Sequence, residues 1–145
     1  MTIKKSTCRA ALATLWFCAG GGLFILFVVE SVLGRWQEKT NEAWGWFLPT
    51  LMPTLLLMIG VFAADATNPK EEDASVKSFT FFLSFGVSIL YLSAVALTIL
   101  LLPYAKAPFW VVMSQSNLFL GPFQGLVAGA LGIFFVKARD AATVP

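Results

Sequence analysis

The hydrophobic positions of this chain fall into four long blocks separated by short polar stretches. The blocks cover 10–33, 45–64, 79–102 and 117–136. An α-helix needs about 20 predominantly apolar residues to cross the hydrocarbon of a bilayer, and each block meets that length. The pattern predicts an all-α protein, an integral membrane four-helix bundle built as a single membrane domain over 1–145. The segments between the blocks are too short to bury a core of their own, so no soluble domain is expected. Lys4, Lys5 and Arg9 before the first block imitate a secretory signal. Its apolar stretch, however, runs from Ala10 to Val29, longer than the roughly 7–15 residues of a signal's core. Leu15, Trp16 and Phe17 ahead of Cys18 are also too bulky for a lipoprotein cleavage site, so the first block reads as a retained span.

Composition sharpens this picture: 58% of residues are hydrophobic and 12% charged, against about 25% charged in a typical soluble domain. An even number of spans places both termini on one side. Lys4, Lys5, Arg9, Lys70, Lys77, Lys137 and Arg139 then share that side, with only Arg35, Lys39 and Lys106 opposite. Basic residues in short loops stay in the cytoplasm, so both termini are expected to be cytoplasmic and the protein to sit in the inner (plasma) membrane. On the opposite side Trp36, Trp44, Trp46, Tyr104, Phe109 and Trp110 form a lopsided set of rings, read as an interfacial belt at headgroup depth. The aromatic stretch from Pro103 to Ser116 reads as a loop lying in that interface. The inner loop carries Asp65, Glu71, Glu72 and Asp73 around an Asn68-Pro69 turn. It reads as a solvated connector or, more specifically, as a docking surface for a cytoplasmic partner through Glu71, Glu72 and Asp73.

Few residues bear chemistry. The chain has no His, the commonest general base and metal ligand, and two Cys. Cys8 and Cys18 lie about 15 Å apart along one helix and cannot bridge. With no catalytic set, carboxylate pair, phosphate loop or metal cluster, an enzyme is not expected, nor a cofactor or metal. A formal charge of +2 is too small for direct nucleic-acid binding. No acid or base lies near the middle of a span; Glu30 sits in the last turn of the first, within reach of Arg35.

Two clusters stand out. In Trp46–Leu55 a Pro-Thr-Leu triplet occurs twice at a spacing of four. Pro49 falls near the helix start, where a missing N–H matters little, whereas Pro53 removes the bond to the carbonyl of residue 49 and invites a kink. In hydrocarbon that carbonyl must find a donor, so the segment should face protein. Thr50 and Thr54 share one face and can bond to carbonyls a turn earlier or across to another helix. In the fourth span Gly121, Gly125 and Gly129 form overlapping small-xxx-small steps, beside Pro122 and Gln124. Pro49, Pro53 and Pro122 are the expected hinges. Gly121, Gly125, Gly129 and Gln124 are the expected packing or oligomerisation surface, against Gly20-Gly21-Gly22 of the first span or against another copy. A shift of 72 superposes Phe47-Leu48 on Phe119-Leu120, Gly60 on Gly132 and Phe62 on Phe134, a faint sign of duplicated hairpins that the first and third spans do not follow.

The Trp46–Gly60 segment with its paired prolines, together with the four spans and no soluble domain, resembles the small four-span membrane subunits of prokaryotic defence systems such as Kiwa. That resemblance implies a homo-oligomeric membrane sensor or anchor subunit of an anti-phage complex, in contact with membrane lipid and acting with a cytoplasmic effector. The residues alone leave two alternatives: a small channel or pore lined by Thr50, Thr54 and Gln124, or a facilitator for a neutral or lipid-like substrate.

Overall fold

The computed structural model describes residues 2–67 and 75–135, the side chains of 64–67 excepted. Four helices dominate it: α1 (Lys5–Val32), α2 (Thr40–Thr67), α3 (Ser78–Leu101) and α4 (Phe109–Phe135). All four are long and apolar enough to cross a membrane. The chain is therefore a helical bundle with the character of a multi-pass membrane protein.

Each helix runs past the apolar block that announced it at one or both ends, because an apolar run stops at the first polar residues and the backbone ladder does not. The largest difference lies at α4. The expected interfacial loop 103–116 is a single 3-10 turn, Leu102–Tyr104, followed by helix from Phe109. The amides of Val111 and Val112 both reach the carbonyl of Pro108 (3.0 and 3.3 Å), so Pro108 starts the helix from a position where its missing N–H is not needed. Ser114, Gln115, Ser116 and Asn117 dilute the hydropathy of this first stretch, which hid the helix from an apolar-run criterion.

Two three-residue strands depart from a purely helical reading. β1 (Thr2–Lys4) and β2 (Ser75–Lys77) pair antiparallel in the register Thr2↔Lys77, Ile3↔Val76, Lys4↔Ser75. They join the segments leading into α1 and α3 at what is here called the strand end of the bundle; the 3-10 turns Gln37–Lys39 and Leu102–Tyr104 mark the turn end. The element order strand, helix, 3-10 turn, helix thus occurs twice. Thr-Ile-Lys is matched by Ser-Val-Lys, and Ile3 lies opposite its counterpart Val76. This repeat of element order takes in the first and third spans, which the residue correspondences at a shift of 72 leave out.

Both ends of the bundle are tied. At the strand end the Arg9 guanidinium donates to the Phe134 carbonyl, a cation on the orphan acceptors of α4's last turn. At the turn end α1 stops in a Schellman arrangement: Gly34 (φ +73°) turns left-handed, its amide reaches Ser31 O (3.1 Å), and Arg35 N reaches Glu30 O (3.1 Å). Between them the core is made of fully buried Trp16, Phe27, Phe47, Met58, Tyr91 and Val95 with their neighbours.

Candidate functional site

Polar groups of the bundle converge on the first half of α2, which does not face protein all round as expected: Thr50 and Thr54 are buried, whereas Pro49 and Pro53 face outward. Pro53 has no N–H, so the carbonyl of Pro49 lacks its donor from the i+4 position. Gln124 Nε2, from α4, fills that place at 3.0 Å and lies 3.4 Å from Thr50 O. Tyr91, from α3, donates its hydroxyl to the same Thr50 carbonyl (2.9 Å). The Thr50 hydroxyl turns back to Trp46 O (2.7 Å), and Trp46 Nε1 donates to Ser116 Oγ (2.9 Å), whose hydroxyl donates to Met113 O (2.7 Å). A chain of bonds therefore links α2, α3 and α4; in hydrocarbon an unpaired carbonyl would cost several kcal/mol. Lower in the bundle Ser84 Oγ donates to Ala130 O (3.1 Å), a second tie of α3 to α4.

This node brings together three residues singled out in the sequence, Pro49, Pro53 and Gln124, with Thr50 and Thr54 buried beside them. α2 is helical through both prolines, and α4 is helical through Pro122. The node is completed by Tyr91 and Ser116, which sequence reasoning passed over. One signal was present: Tyr91 is one of two tyrosines and lies inside a span, where its hydroxyl requires an acceptor.

The glycine surface stands differently from its expectation. A Cβ placed on Gly121, Gly125 or Gly129 meets no atom within 4 Å, so these residues do not permit a close helix contact within the chain. Nor do Gly20-Gly21-Gly22 oppose them. Gly20 faces Leu55 of α2 at 3.6 Å, and Gly21 and Gly22 meet open space. The helix face that the glycines expose is unfilled because bulky neighbours on the other faces, Leu120, Val127 and Leu131, make the core contacts.

The expected ring belt also needs correction. Trp36 and Trp46 are 1% and 5% exposed, packed inside the bundle instead of anchoring its surface. Phe27 is the centre of that packing: it stacks on Phe47 (4.3 Å between centroids) and Trp36 (5.0 Å) and meets Trp44 edge-on (5.0 Å). Trp44 is half-buried and donates to Ser31 Oγ (3.2 Å); Trp110 and Tyr104 face outward. The rings turn inward because α1's last turns present a large aromatic face that Gly34 and the tight turn bring against α2. Above them Glu30 bonds Arg35, whose guanidinium lies over the Trp36 ring (5.4 Å). Lys39 pairs with Glu42 (3.2 Å) and lies over Trp110 (4.4 Å).

Cys8 is buried and Cys18 exposed, both as free thiols. Among the described residues no cluster of His, Cys, Asp and Glu has the makings of a metal site. The docking triplet Glu71, Glu72 and Asp73 lies outside the described residues. Comparison with protein-family models, with curated proteins and with solved structures finds no match for this chain.

Proposed function

We propose that this protein is a non-enzymatic, multi-pass plasma-membrane subunit that senses the state of the bilayer and anchors a cytoplasmic effector, the role that its resemblance to defence-system subunits implies. The observation that carries the reading is the node at Pro49 and Thr50. A mostly apolar bundle holds α2 where its own ladder is broken, through the Gln124 amide on Pro49 O and the Tyr91 hydroxyl on the adjacent Thr50 O. Thinning or bending of the bilayer loads the helix ends, and a segment lacking a ladder bond yields at least cost. The two strands lie at the end where α2 hands over to α3, so movement there reaches the inner loop with Glu71, Glu72 and Asp73. The basic residues around both termini and that loop favour the cytoplasm for them, and self-association uses the face of α4 at Gly129, outside the lining of the cavity that holds Gly125.

Phage-challenge plating tests this reading in cells carrying the gene with its genomic neighbours. Removing the chain should abolish protection, and Gln124→Leu or Pro53→Ala should blunt it at unchanged protein level. Equal plating with and without the chain would overturn the proposal.

A further inference from the structure

The outer surface between α2 and α4 carries a groove that the bundle itself does not fill. At the turn end it widens into a cavity of about 330 Å³ between Glu42, Gly45 and Trp46 on α2 and Trp110, Ser114 and Asn117 on α4. Deeper, a second cavity of about 360 Å³ lies between Pro53, Thr54 and Leu57 on one side and Gln124, Gly125 and Ala128 on the other. Positions 42, 45, 49, 53 and 57 fall on one helical face, as do 110, 114, 117, 121, 125 and 128, so the same two faces line both cavities. Pro49 and Gly121, between them, are exposed, and a Cβ on Gly45, Gly121 or Gly125 meets no atom within 4 Å.

Polarity changes along the groove. Its upper end holds the Glu42 carboxylate, paired with Lys39 at 3.2 Å, and the Trp110 ring, over which the Lys39 ammonium sits at 4.4 Å. Ser114 and Asn117 add neutral donors and acceptors. Its lower end is mostly apolar: its polar groups are the Thr54 hydroxyl, on a buried residue, and the Gln124 amide, which donates to Pro49 O. From Gly45 to Leu57 the groove runs about 18 Å at 1.5 Å per residue, close to the roughly 15 Å hydrocarbon depth of one leaflet. A polar head and an apolar tail of leaflet length describe an amphiphile, whereas a neighbouring helix would bring apolar side chains at both depths.

We propose that this groove binds a phosphatidylethanolamine molecule, its headgroup between Lys39, Glu42 and Trp110 and one acyl chain along Pro53, Leu57, Gly125 and Ala128. The charges decide the headgroup. Lys39 and Glu42 together are neutral, and a zwitterion exchanges partners with them: phosphate to Lys39, ammonium to Glu42 and the face of Trp110. That this face already holds an ammonium shows that it accepts one. An anionic headgroup without an amine would face the Glu42 carboxylate with like charge. A choline headgroup has no N–H to give to Glu42 or Asn117. The inference rests on reading the four helices as membrane spans and not on any effector.

The test uses the full chain purified in mild detergent, supplied with equal amounts of phosphatidylethanolamine, phosphatidylglycerol or phosphatidylcholine, with lipid adducts read by native mass spectrometry. Phosphatidylethanolamine adducts should exceed the others several-fold. Lys39→Gln with Glu42→Gln should abolish that preference while leaving thermal unfolding unchanged. Gly125→Leu, which fills the lower groove, should reduce all adducts, and Gly129→Leu, outside the cavity lining, should not. Equal adducts for the three lipids in the wild-type chain, or a preference that survives the double variant, would overturn the proposal. So would a lipid-free dimer that Gly125→Leu converts to monomer, since a second copy would then occupy the groove. A chain recovered without detergent in the soluble fraction would refute the membrane reading instead.

Discussion

Gln124 Nε2 lies 3.0 Å from the carbonyl oxygen of Pro49, the acceptor that Pro53 deprives of its helical donor. The two residues that weaken and repair α2 thus stand on different helices, 71 positions apart in sequence. Replacing Gln124 by Leu leaves a carbonyl unpaired in an apolar setting and should cost about 1–2 kcal/mol of stability. Replacing Pro53 by Ala returns an N–H to the ladder, so Gln124→Leu should cost close to nothing in that background. A double-mutant cycle read by unfolding in detergent measures the difference, and equal costs in both backgrounds would mean that the contact does not serve the orphan carbonyl.

The small sheet makes a prediction about register. With Cys8 and Cys18 replaced by Ala, Ile3→Cys and Val76→Cys should cross-link within one chain under mild oxidation, because directly opposed antiparallel residues have Cα atoms about 4.5–5.5 Å apart. Thr2→Cys with Ser75→Cys should not, since Thr2 pairs with Lys77 and Ser75 with Lys4. Proteolysis between the two sites followed by non-reducing electrophoresis distinguishes the outcomes. Cross-linking of the second pair in preference to the first would place the strands in a different register.

The helices were legible in the sequence because a run of about 20 apolar residues has few other homes. The need of Pro49 O for a donor was legible too, since it follows from proline's missing N–H. What supplied the donor was not: Gln124, like the Tyr91 that donates to the neighbouring Thr50 O, comes from a helix whose rotation about its axis no local pattern fixes. The same limit explains the rings. Trp36 and Trp46 occur where an interfacial belt belongs by depth, but depth says nothing about which way a ring points, and the turn at Gly34 aims Trp36 inward. β1 and β2 were invisible because three residues carry no period.

Gly129 offers a separate test of self-association. A side chain there meets open space within the chain, so Gly129→Leu should leave the fold and its unfolding temperature intact. If copies meet through this face, the substitution should shift the particle to smaller size in mild detergent, because a bulky residue prevents close approach of helices. Size-exclusion chromatography with light scattering measures it. An unchanged size would show that the face is not a contact between copies.

Orientation is tested with reporter fusions after residue 40, at the start of α2, and after Pro145. The second fusion should report cytoplasm and the first the opposite compartment, the arrangement that the seven Lys and Arg expected on the side of the termini, against three on the other, favours. A cytoplasmic signal at residue 40 would invert the bundle.

The inward turn of the aromatic residues separates two phenylalanine- and tryptophan-rich surfaces that the sequence cannot tell apart. Phe27 is fully buried and in ring contact with Phe47, Trp36 and Trp44, whereas Trp110 is 42% exposed and touches Phe109 and Lys39. Phe27→Ala should therefore open a cavity at the junction of α1, α2 and the turn, with a cost of about 3–5 kcal/mol if the site relaxes as little as other close-packed cores. Trp110→Ala removes an outward ring and a partly solvated cation–π contact, and should cost about 1 kcal/mol or less. Phe27→Leu, which keeps most of the buried volume, should recover much of the loss, a rescue expected of packing and not of a specific ring function. Unfolding of the three variants in one detergent checks the order. If Trp110→Ala proves the more damaging, the stability of the turn end resides in its contact with the surrounding lipid and not in the stack around Phe27.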